Sequence, residues 1–265
     1  MRFRFLFGAA MVVALFGATG TATAVPPPIA YTCTGGNWTG DPATSTFTSI
    51  PSGNYASITV TGVCIVVPDA VINVVGNINV ASRGVLDAQS APSTITVGNN
   101  VTAAWGAILG LGCLPNPPGH TTGHPCVVDP DGSSNITVKG NVTATHADTV
   151  LLDGITVNKN VTMQWGGEPY IPWAIKDNTI GGNLVVSGVR PNWIGVLFNK
   201  IGGSAILTHI TITDPGDPDP TIFVVSNIVG RNLVCLALGP YLVAGFPGEF
   251  NVVGGLTIGQ CVVRA

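Results

Sequence analysis

The sequence predicts an all-β fold, a right-handed parallel β-helix (β-solenoid) of about nine coils with three short strands each. Three observations carry this. A phrase built on Asn and alternating apolar residues returns at spacings of 23, 41, 19, 23, 21, 28 and 23 residues. Val, Ile and Thr dominate, Gly numbers 35, Pro 20, and only 9% of residues are charged, a composition poor in helix formers and rich in strand formers. Beyond residue 24 no stretch sustains an i, i+3, i+4, i+7 apolar stripe, whereas period-2 alternation recurs, as in Val142-Thr143-Ala144.

Residues 1–24 read as a secretory signal peptide: Arg2 and Arg4, an apolar run from Phe5 to Phe16, and the small-x-small site Ala22-Thr23-Ala24. Removing this leader takes two Arg with it, and the formal charge moves from −3 to −5. A Lys-poor, acidic chain is a poor partner for nucleic acid or for an anionic membrane surface. The expected location is therefore extracellular, with no membrane contact after cleavage.

Residues 25–56, rich in Pro, Gly and Thr, are expected to cap the first coil, since an uncapped solenoid offers an open strand edge. Residues 57–265 form the solenoid. Its repeat phrases start at Asn77, Asn100, Asn141, Asn160, Asn183, Ser204, Asn232 and Gly255. The spacing of 41 contains an inserted loop at 111–134. One turn of about 20–23 residues cannot bury its own apolar face, but stacked turns make a continuous core. At about 4.8 Å per turn, the rod is on the order of 40 Å long.

A second corner holds Asp153, Asn178, Asn199, Asn227 and Asn251. Asn tolerates the left-handed conformation of a sharp turn. Stacked in register, these side chains would hydrogen-bond from coil to coil. The phrases "NTIGGN" and "NKIGGS" place Asn178 and Asn199 there, with the Gly pairs bending the chain into the next strand. The mature chain keeps Cys33, Cys64, Cys113, Cys126, Cys235 and Cys261, an even number that suits disulfides in an exported chain. Spacing leaves the connectivity open, and nearest-neighbour pairing is the expectation.

The phrases "PWAIKDNTIGGNLVVSGV", "NWIGVLFNKIGG", "VGRNLVCLALGP" and "VVGGLTIGQC" resemble a group of uncharacterised, secreted actinobacterial proteins. The resemblance covers most of the mature chain. It implies a pectin-lyase-like right-handed β-helix and export, and brings no catalytic residues with it.

Chemistry could reside in two places. The loop gathers His120, His124, Asp129 and Asp131, and two His with a carboxylate are donors that zinc accepts. They lie among Gly, Thr and Pro, and no helix fixes their spacing. The acidic turns at Asp129 and Asp214 lack the later bidentate acid of a calcium loop. No cofactor is therefore expected; zinc and calcium lack support. The other place is an aromatic file: Trp105, His146 and Trp165 each lie five residues after the coil Asn, with Tyr170, Trp173 and Trp193 nearby. Positions one and three point inward, so alternation sends position five inward too, as a buried stack. Turned outward, the file would be a platform for sugar rings.

Glycoside hydrolysis needs two carboxylates flanking the scissile bond, and here the acids sit at corners and in loops. The expectation is thus a secreted, non-catalytic structural or interaction module, a rigid rod. The alternative is an extracellular polysaccharide-binding or polysaccharide-cleaving protein whose partner is a glycan or another cell-surface component.

Overall fold

In the computed structural model, residues 27–39, 44–116, 123–168, 172–214, 216–217 and 219–262 are described. Every strand among them belongs to an all-β arrangement, and no helix occurs in them. Eighteen strands form one sheet and nine another, each built from parallel pairs. Together they make a nearly closed, solenoid-like stack.

The path is regular. One circuit runs through Thr149–Asp153, Thr156–Val157 and Val161–Gly166; the next through Trp173–Lys176, Thr179–Ile180 and Leu184–Ser187. Each strand hydrogen-bonds to its counterpart one circuit later. Val161 faces Leu184, Leu184 faces Ala205, and Ala205 faces Leu233. Like therefore stacks on like, and the inward file Val142, Val161, Leu184, Ala205, Leu233 is fully buried. Neighbouring Thr143 and Thr162 pair on the outer side. The inserted loop leaves this register intact, because Val101 pairs directly with Val142 across it.

The chain before residue 57 closes the first edge by supplying strands to it. Ile29–Cys33 pairs with Gly53–Val60, and Thr48–Ile50 pairs with Val63–Val66. The boundary read at residue 56 thus falls inside a strand. Three disulfides, Cys33–Cys64, Cys113–Cys126 and Cys235–Cys261, follow the nearest-neighbour expectation. They fasten the first strands, the inserted loop and the last strands in turn.

The corner ladder forms. Asn178 Nδ2 donates to Asn199 Oδ1 at 3.0 Å, Asn199 Nδ2 to Asn227 Oδ1 at 2.9 Å, and Asn227 Nδ2 to Asn251 Oδ1 at 2.9 Å. Each Oδ1 also accepts the backbone N–H of the preceding Asn. Each Nδ2 reaches back to a carbonyl as well, Asn199 to Ile175 O at 2.7 Å. Asn178, Asn199 and Asn227 are 1% exposed, so these bonds stand in for water.

Asp153 is a correction. It pairs with Lys176, two residues before the Asn column. Ile155 takes the ladder position instead, its N–H donating to Asn178 Oδ1 at 3.0 Å. The ladder therefore ends on a backbone amide, and the Asp153 side chain is buried beside it.

A second ladder was not anticipated. Asn77, Asn100, Asn141, Asn160 and Asn183 stack at the start of the repeat phrase, each Oδ1 accepting the N–H of the residue one circuit later. Its polarity is the reverse of the first, and its side chains are half-buried or exposed.

Candidate outward aromatic face

The strand Val142–Ala147 shows why the aromatic file does not turn inward. Its exposure runs buried, half, buried, exposed, exposed, buried. Alternation holds through Thr145 and then breaks, because His146 sits in the left-handed region at φ 55°. That one residue reverses the parity, so Thr145 and His146 both face solvent and Ala147 returns to the core. Val161–Gly166 repeats the pattern with Trp165 at φ 58°. Ala205–Thr211 and Leu233–Gly239 do so with His209 at 54° and Ala237 at 54°.

The expectation of a buried stack is therefore corrected: Trp105 and Trp165 are each 54% exposed. His146 and Trp165 stack with centroids 6.5 Å apart and planes at 24°. Gly188 occupies the same column one circuit beyond Trp165. A Cβ there would lie 2.3 Å from Trp165 Cε3, so the indole lies against the Gly188 backbone. A left-handed non-Gly residue costs about 1–2 kcal/mol. Gly106 and Gly188, at φ 67° and 72°, hold the corner without that cost, whereas His146, Trp165 and His209 bear it while presenting rings to solvent.

These residues line an open groove of about 690 Å³, with His146, Trp165, Arg190, His209 and Thr211 on its walls. Among the described residues no carboxylate lines it; it supplies ring faces, imidazoles and a guanidinium. Beyond Trp105 lies a second groove of about 430 Å³, walled by Asn37, Trp38, Arg83 and Asp148. Arg83 places its guanidinium carbon 4.8 Å from the Trp105 ring centroid, in cation–π range. Burial raises the Asp148 carboxyl above its ordinary value, and Arg83 opposes that shift.

The other candidates fall elsewhere. Trp173 is fully buried, its Nε1 donating to Asp148 O at 2.9 Å; it is core, removed from any ligand. Tyr170 and His120 lie outside the described residues. His124 is half-buried and bridges to Leu114 within the loop; burial and Lys176 lower its pKa, against Asp87. Asp129 and Asp131 are exposed. Among the described residues no three His, Cys, Asp or Glu side chains gather as a metal ion requires. His209 escaped the sequence reading although the signal was present: it lies five residues after Ser204, in the same column as Trp165.

Comparison with protein-family models, with curated proteins and with solved structures returns no match.

Proposed function

We propose that the protein is an exported, non-catalytic interaction module, a rigid solenoid that binds glycan along its outward aromatic face. One observation carries the reading: a single corner column turns the rings of His146, Trp165 and His209 to solvent. The left-handed conformation itself recurs with the fold, at Ala237 in this column and at Asp177, Phe198 and Ser226 elsewhere; rings placed on its exposed side are what support a binding task. An indole that is 54% exposed is a fitting surface for the apolar face of a sugar ring, and imidazole and guanidinium edges meet its hydroxyls. Among the described residues the groove around Trp165 has no pair of carboxylates of the kind glycoside hydrolysis uses, which favours binding over cleavage.

The leader sequence and three disulfides support export. Right-handed winding, about nine coils and the pectin-lyase-like resemblance belong to the same reading.

A glycan array probed with the mature protein tests it. Trp165→Ala is expected to weaken glycan binding at least about tenfold, as loss of a central aromatic anchor does, with an unchanged circular dichroism spectrum. Absence of saturable binding to any glycan on the array sinks the proposal.

A further inference from the structure

We infer that the groove walled by Trp38, Arg83 and Asp148 is a second saccharide subsite, built for a neutral sugar and lying along the same corner as the Trp165 groove. The inference rests on the glycan-binding reading above and adds the ligand's charge class and its minimum length.

Charge class follows from the walls. Arg83 and Asp148 line the same groove and feel each other's charge. A guanidinium donates only, and a carboxylate accepts only. Together they match adjacent sugar hydroxyls, each of which can give and receive. An acidic sugar would bring a second carboxylate to the half-buried Asp148, where like charges repel. Arg83 already balances Asp148 within the groove, and among the described residues lining it no further cation meets an acidic sugar. Trp38, half-buried, supplies a ring surface from the N-terminal segment.

Length follows from the register. The strands carrying Ile78, Val101, Val142, Val161, Leu184 and Ala205 are successive neighbours. Ser82, Trp105, His146, Trp165, Gly188 and His209 lie four residues after these, one per circuit, and Arg83 follows Ser82 in register with Gly106. Five steps of about 4.8 Å span roughly 24 Å. Each step is close to what one pyranose ring adds to an extended chain. A linear oligosaccharide along the solenoid axis would thus meet about one corner residue per sugar, and about four sugars would reach across the three circuits from Arg83 to Trp165.

Titration calorimetry of the mature chain with cello-, xylo- and manno-oligosaccharides of about two to six units tests this. Affinity is expected to rise with length, and Asp148→Asn to weaken the longest ligand about tenfold, the worth of a charged hydrogen bond. Disaccharide binding, lost in Trp165→Ala, should survive Asp148→Asn. If Trp165→Ala abolishes binding while length and Asp148→Asn have no effect, the second subsite is wrong and the Trp165 groove stands. Stronger binding of oligogalacturonates than of neutral chains overturns the neutral class. No binding by any oligosaccharide overturns the glycan-binding reading, and this inference with it.

Discussion

Asn199→Ala is expected to destabilise the fold by about 3–5 kcal/mol. The side chain gives two hydrogen bonds, to Asn227 Oδ1 and Ile175 O. It receives two more, from the Asn178 N–H and Nδ2. Alanine removes all four at a site that is 1% exposed. Water does not replace them there, and each stranded buried donor or acceptor costs about 1–3 kcal/mol. Lys200→Ala next door, on an exposed side chain, should shift stability by no more than about 0.5 kcal/mol. Asn183→Ala offers a sharper control. It breaks the same kind of bond, from the Ser204 N–H, but at an exposed position where water substitutes, so the loss should stay near 1 kcal/mol. Urea unfolding midpoints rank the three variants; equal midpoints for Asn199→Ala and Lys200→Ala would rule out the buried ladder as a source of stability.

That ladder was legible because its two ingredients, an Asn and a fixed phase, are both local. The same is true of the core: Val142, Ala144 and their counterparts declare an inward face by alternation alone. Asp153 misled because it was matched to Asn178 by side-chain chemistry. The pairing of Thr156 with Thr179 fixes the true register and moves Asp153 two places away. Trp165 misled for a different reason. Counting parity along a strand assumes that every residue is extended, and one left-handed residue inverts everything it presents. Gly188 and the Gly166-Gly167 pair hinted at such a corner. A Trp or His in that conformation leaves no mark in the sequence, since the cost is met by packing from neighbouring circuits.

Asp153→Asn is expected to stabilise the protein at neutral and alkaline pH and to flatten its pH dependence. Asp153 is 1% exposed, and neither carboxylate oxygen has a hydrogen-bond partner. Burial pushes its carboxyl up to about 7; Lys176 is the main opposing influence, while Asp177 adds to the rise. The backbone amides of Leu114 and His124 also oppose it, without closing a hydrogen bond. Below the ordinary carboxyl value, folded and unfolded chains are both protonated at this residue, and it does not bias the equilibrium. As pH rises from about 4 to about 7, the unfolded chain has released the proton while the folded chain retains it. Folding then requires proton uptake, so stability falls across that window and levels off above it. A difference of roughly three pH units corresponds to about 4 kcal/mol at the plateau. Asparagine carries no charge to desolvate, so the variant should gain most of this above pH 7 and nothing below pH 4. Chemical denaturation of both proteins across that range decides the matter: parallel stability curves would mean that Asp153 is ionised and solvated in the folded state. A gain confined to the alkaline side would show that the buried Asp153 carboxyl, near Leu114 and His124 of the inserted loop and one circuit from where the Asn ladder begins, weakens the fold once the unfolded chain ionises.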